Sequence, residues 1–229
     1  MQQRARAERF FFDITVVMIV VIIAGFGSAA MFLDEFVYPP STMLIFHAIV
    51  MLAWYFLTAS QARLISQSNF VLHKQMGMAS IALVILMIVT GYVIVSQALR
   101  NSAMSIAGMS PAGSTIFPTM DLIGFTLFYG LALANRKSGA AHKRLMVLAG
   151  IMMLPPATAR LGLSIGFEPL AGVAAIGFTG ALLIYDWRTR GRPHWASVLG
   201  VIVGVGGTPV RFVAGPSEGW GELAKAIYL

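Results

Sequence analysis

Four histidines are the only imidazoles in this 229-residue chain, and three of them share a setting. His73 stands in VLHKQMG, His142 in AAHKRLM and His194 in RPHWASV, each at the mouth of a long apolar run. Asp186 closes the run before His194, eight residues upstream. Three imidazoles and a carboxylate at one depth are donors that zinc or non-haem iron accepts. The positive end of a helix dipole disfavours imidazolium, so histidines at helix starts stay neutral, as a metal ligand must be. His73, His142, His194 and Asp186 are therefore the candidate metal set, for a divalent metal (zinc or iron) or a haem. Lys74, Lys143, Arg144 and Arg192 crowd the same region. They repel a bare dication and suit an anion such as a lipid phosphate. A ring of interfacial His, Lys and Arg on anionic headgroups is thus the competing reading. The histidine spacings, 69 and 52 residues, make no local motif.

A second set lies inside the apolar runs. In TMLIFHAIVMLAWYFLTASQARLI, His47, Trp54 and Gln61 recur every seven residues and share one helix face, with Thr58 close to it. Polar side chains within a membrane face other helices or a wet cavity. Pro155 and Pro156 interrupt the run that follows His142. Proline removes a backbone donor and displaces the preceding turn, so carbonyls are freed that need partners. Arg160 follows, and an arginine at that depth costs several kcal/mol, of order 3, unless it is paired or wet. Gly206-Gly207-Thr208-Pro209 followed by Arg211 repeats the arrangement. His47, Trp54, Gln61 and Arg160 are the candidate cofactor-binding set, in an anion-accepting pocket between the second, fifth and seventh runs. The other reading of Arg160 is snorkelling outward to Glu168. No catalytic residue can be assigned.

These side chains need elements that hold them at a common depth. The chain is 58% hydrophobic and 11% charged, with a mean hydropathy of +0.79, whereas a soluble domain carries about 25% charged residues. Lipid is then the expected solvent. Seven apolar runs, at 14–33, 42–65, 76–99, 117–134, 145–165, 169–185 and 195–214, approach the roughly 20 residues that cross a hydrocarbon core. Stretches such as VVMIVVIIAG and IALVILMIV do not alternate as barrel strands do. Backbone in lipid must satisfy itself, so the runs are expected to be helices. The expected fold is an all-α, seven-transmembrane-helix bundle forming a single integral membrane domain over residues 1–229. Small residues at GSAA (27–30) allow a signal cleavage, but the run before them exceeds an h-region of about 7–15 residues, so an anchor is expected.

Net charge is +7 and the pI is about 10.1. In a soluble chain this would point to nucleic acid; in this one the positions of the charges decide, and no nucleic-acid partner is expected. Arg4, Arg6, Arg9, Arg63, Lys74, Arg136, Lys137, Lys143, Arg144, Arg188, Arg190 and Arg192 fall on one side of a seven-span path, which is 12 of the 16 basic residues. The positive-inside rule then predicts a cytoplasmic N-terminus and an exterior, periplasmic C-terminus. The seventh run holds no lysine, which excludes a retinal Schiff base. The chain has no cysteine, which excludes disulfides, thiolate metal sites and iron–sulfur clusters.

The segments HKRLM…PPATARL, the pattern His47…Trp54…Gln61 and the loop DWRTRGRPH resemble a group of uncharacterised bacterial multi-span membrane proteins, over residues from about 40 to 200. More loosely, histidines at helix ends in a small bundle are similar to those of bacterial cytochrome-oxidase assembly proteins and b-type cytochromes, a likeness of fold alone. The resemblance implies a multi-pass protein of the bacterial inner membrane. The expected function is a redox or respiratory accessory role, with metal or haem held at the cytoplasmic histidines. The alternative is a non-enzymatic subunit that binds lipid, pigment or quinone within a larger assembly. Expected partners are membrane lipids with anionic headgroups and other membrane subunits.

Overall fold

Among the described residues of the computed structural model, six helical stretches are long and apolar enough to cross a bilayer, and two further helices, bent by 46° at a short break, make up to a seventh crossing. Residues 2–33 and 41–229 are described, with side chains from Arg9 onward. The DEFVYPP loop (34–40) and the side chains of Arg4 and Arg6 lie outside the described residues. The order is α1 (Gln2–Phe32), α2 (Thr42–Ser66), α3 (Phe70–Arg100), the single turn α4 (Pro111–Ser114), α5 (Ile116–Ala134), α6 (Gly139–Met152), α7 (Pro155–Ser164), α8 (Leu170–Arg190), α9 (Trp195–Gly200), a π-turn (Val201–Val205), α10 (Gly207–Ala214) and α11 (Glu218–Tyr228).

Local chemistry sets these boundaries. Ser41 Oγ accepts the Leu44 N–H, and Asn69 Oδ1 the Leu72 N–H, each at 3.2 Å, which caps α2 and α3. The run predicted at 145–165 breaks where its prolines stand. Pro155 has no N–H to donate and its ring excludes the carbonyl four residues back. The chain closes α6 with tight turns, Met153 N–H to Gly150 O at 3.1 Å and Leu154 N–H to Ile151 O at 3.2 Å. It restarts as α7 with proline in the first turn, where a missing donor matters least. The last run is interrupted in its turn. Gly206 N–H reaches back to Val201 O at 3.0 Å, closing the π-turn before Pro209.

Helix α6 is the axis of the bundle, with nine of its 14 residues buried. Small residues let its neighbours approach. A Cβ at Gly200 would lie 2.2 Å from Leu148 Cδ2, and one at Gly124 would lie 2.4 Å from Met152 Cε. Helices α1 and α7 meet backbone to backbone, since a Cβ at Gly25 would fall 2.1 Å from the Ala157 carbonyl oxygen. Trp54, Phe125, Phe128, Leu145, Leu148 and Leu182 fill the centre. The exterior is apolar as well: Val20, Ile23, Ile49, Phe56, Ile85, Val89, Ile176 and Ile202 are all more than half exposed. Exposed apolar area on that scale is consistent with a multi-pass membrane protein.

At the end of α3 far from His73, the C-terminal helix forms a plug. Ser96 Oγ donates to Tyr228 O at 2.6 Å, Tyr92 Oη to Ile227 O at 2.9 Å, and Tyr228 Oη pairs with Thr119 Oγ1 at 2.7 Å. Trp220 Nε1 donates to Ala112 O at 3.2 Å. Tyr228 is therefore buried in the bundle end.

Candidate functional site

The α2–α3 and α5–α6 hairpins bring their connecting turns to one end of the bundle. Gln61 Nε2, in the last two turns of α2, donates to His73 O at 3.1 Å. His142 Nδ1 lies 2.8 Å from Ala132 O. A carbonyl can only accept, so that nitrogen carries a hydrogen. The His73 and His142 rings stand 6.4 Å apart, edge to face at 85°.

Asp186 and His194 belong to a different construction. Asp186 Oδ1 accepts from Arg144 Nε at 2.7 Å and also from Arg144 Nη2, while Asp186 Oδ2 accepts the His194 N–H at 2.8 Å. Arg144 Nη1 donates to Ala140 O at 2.6 Å, and the Phe11 and Tyr185 rings flank the guanidinium at 5.8 and 5.4 Å. The pair is almost fully buried, at 2% and 0% side-chain exposure. His194 caps α9, its Nδ1 accepting the Ala196 N–H at 3.1 Å. Its pKa lies below the usual histidine value, first because it is buried and then because Arg144 and Arg190 are nearby, with Asp186 opposing. Protonating Nδ1 would remove the cap acceptor, so the fold holds this ring neutral.

These contacts overturn the expected metal centre. Among the described residues, no group of three His, Cys, Asp or Glu side chains comes together that could hold a metal ion. His73 and His142 form one pair. Both oxygens of Asp186 are committed to Arg144 and His194, and the Nδ1 of His194 to its own helix. Neither a divalent metal (zinc or iron) nor a haem is supported at His73, His142, His194 and Asp186, and the redox accessory role that rested on them falls with it.

The second set divides. His47 Nδ1 bonds Thr90 Oγ1 at 2.9 Å, and Thr90 in turn donates to Leu86 O at 2.7 Å. Gly91 of α3 faces the His47 ring, a Cβ there coming 3.8 Å from Cε1. Trp54 is fully buried, with Phe125 and Tyr129 edge-on at 5.0 and 5.5 Å. Tyr129 Oη lies 2.9 Å from Ser80 Oγ. Gly77 faces Gln61, a Cβ there coming 3.6 Å from Nε2. Three buried polar atoms along this α2–α3–α5 seam have no hydrogen-bond partner among the described residues: Trp54 Nε1, Gln61 Oε1 and His73 Nδ1. Arg160 is elsewhere. Its Nη1 donates to Pro156 O at 3.1 Å and its guanidinium lies 4.9 Å over the Phe26 ring of α1. The contacts described for Arg160 and His47 do not join them.

The sequence reading misses two buried ion pairs and the Ser80–Tyr129 bond. Besides Arg144–Asp186, Asp121 and Arg211 meet at 2.7 Å between α5 and α10, at 4% and 7% side-chain exposure, with Phe117 6.0 Å from the guanidinium. One signal was available: Asp121 and Arg211 are opposite charges inside two apolar runs, where lone charges are costly. His73 and Ser80 are also seven residues apart, the spacing that picked out the α2 face.

Comparison with family models, curated proteins and solved structures finds no match. The likeness to an uncharacterised bacterial group and to cytochrome-oxidase assembly proteins has no support from it. What stands is a helical protein with six to seven candidate membrane spans.

Proposed function

We propose that this chain is a non-enzymatic binding subunit of the bacterial inner membrane, working within a larger membrane assembly, and that its ligand is a neutral, lipid-soluble molecule of the quinone or quinol class. Residues 1–229 form one membrane domain, with the N-terminus in the cytoplasm and the C-terminus outside. The orientation follows from the basic residues gathered on one side.

The observation that carries the ligand reading is the set of three unpartnered atoms on the α2–α3–α5 seam. A buried polar group without a partner costs about 1–3 kcal/mol, so such groups either meet water or await a ligand. Trp54 Nε1 is a donor only, Gln61 Oε1 an acceptor only, and His73 Nδ1 either, according to tautomer. A quinone carbonyl accepts from the indole, and a quinol hydroxyl donates to the amide or imidazole. Seven residues of helix separate Trp54 from Gln61, about 10 Å, the reach of a substituted ring rather than of a single ion. Gly77 and Gly91 keep the facing side of α3 slim opposite Gln61 and His47. His47, with its hydrogen bond satisfied by Thr90, shapes the far end of the seam.

The test is a titration of the detergent-solubilised full chain with a short-chain quinone, read by indole fluorescence and by equilibrium partitioning of labelled quinone. Saturable quenching is expected, largely lost in Trp54→Phe. Gln61→Leu should weaken partitioning about tenfold, the equivalent of one hydrogen bond of roughly 1.4 kcal/mol. Equal affinity in the wild type and in Gln61→Leu sinks the reading.

A further inference from the structure

Helices α1 and α8 touch at their basic ends and part further in. Phe10 stacks on Tyr185 at 4.3 Å and 11°, and Phe11 meets the same ring edge-on at 5.2 Å. Beyond that contact an open groove of about 380 Å³ runs between the helices. Ile14 and Val17 line it from α1, Ala174, Gly177 and Ala181 from α8, and Asp13 stands at its mouth. A Cβ at Gly177 would meet nothing within 4 Å, so the space beside α8 is open. The lining is apolar and lies among exposed apolar faces.

The charge at the mouth selects an occupant. Ala174, Ala181 and Arg188 are seven residues apart and share one helix face, so Arg188 continues the groove stripe one turn past Tyr185. Arg9 is 82% exposed on α1 and pairs with Asp13 at 3.6 Å, which offsets the carboxylate. Lys143 Nζ lies 4.6 Å over the ring of Phe11, which also meets Tyr185. An apolar slot beneath a net positive rim fits an acyl chain under an anionic headgroup. We propose that the α1–α8 groove seats one acyl chain of an anionic phospholipid, with its phosphate held at the Arg9–Arg188 rim. This is a site apart from the α2–α3–α5 seam and does not depend on it.

The experiment uses the full chain in nanodiscs of phosphatidylcholine with a rising share of phosphatidylglycerol. Lipid retained after extraction is counted by native mass spectrometry, and Tm is followed in parallel. The wild type should retain one phosphatidylglycerol per chain in preference to phosphatidylcholine, with a higher Tm. Arg188→Gln should weaken retention about fivefold, as expected for one surface cation worth about 1 kcal/mol. Gly177→Leu fills the groove from open space and leaves the core untouched, while Ala181→Leu fills it from beside the core, and each should abolish retention. Three results overturn the proposal: retention unchanged in both groove variants, no preference between the two lipids, or a co-purifying membrane helix that the groove variants release.

Discussion

Arg144 shows how far a side chain's role depends on what the fold sets against it. In the sequence it is one more cation beside a span; in the bundle it is 2% exposed and bonded to Asp186, Ala140 O and two aromatic faces. Removing one partner of such a pair leaves the other charge buried and uncompensated, which typically costs about 3–5 kcal/mol. Asp186→Leu should therefore lower the stability of the detergent-solubilised protein by about that amount. Arg144→Met with Asp186→Leu should recover part of it, because no lone charge then remains. Recovery stays incomplete, since the His194 N–H loses its acceptor. Thermal and denaturant unfolding of the wild type and the two variants measures this. A double variant no more stable than the single one would show that the stabilisation does not reside in the pair.

Helices α1 and α7 illustrate how little of a packing contact belongs to either element alone. Both Gly25 and Gly27 lie in an apolar stretch of α1 and look equivalent in sequence. Only Gly25 meets α7: a Cβ there would lie 2.1 Å from the Ala157 backbone, whereas one at Gly27 would meet nothing within 4 Å. Gly25→Ala must force the helices apart and should destabilise by about 1–3 kcal/mol. Gly27→Ala should be neutral or stabilising by up to about 1 kcal/mol, the ordinary helix preference for alanine. The Tm values of the two variants decide the matter, and equal values would mean that α1 and α7 do not pack in this register. Glycines four residues apart need not share a role. In Gly162-x-x-x-Gly166, Gly166 has φ +71° and ends α7, with Phe167 N–H bonded to Gly162 O at 2.7 Å. Gly200, by contrast, does sit against α6.

Taken together, the helices place His73, His142 and the Arg144–Asp186 pair toward one end of the bundle and the α11 plug at the other. The proposed orientation puts the first end in the cytoplasm, because the loops nearest it carry the basic residues. An alkaline phosphatase fused after Leu229 should then be active, and the same reporter placed in the 135–138 turn inactive. The reverse pattern in well-expressed fusions would turn the whole bundle over, with the histidine end outside. The internal geometry would be unaffected, because it does not depend on which face meets which compartment.

The span-length helices were legible in the sequence because an apolar run of about 20 residues, if it meets lipid, leaves the backbone no other way to satisfy its donors and acceptors. The break at Pro155 was legible for an equally local reason, the missing N–H. The periodicity of His47, Trp54 and Gln61 showed that they share a face of α2. It did not show that the face would meet His73 across a slim α3, leaving three atoms without partners. Nor did it show that His194 and Asp186 would be absorbed by a cap and an ion pair, or that Arg160 would lie over Phe26. Those outcomes depend on how each helix is rotated and tilted about its axis. That rotation follows from fitting all the side chains of the bundle together, a condition that no single run of residues contains.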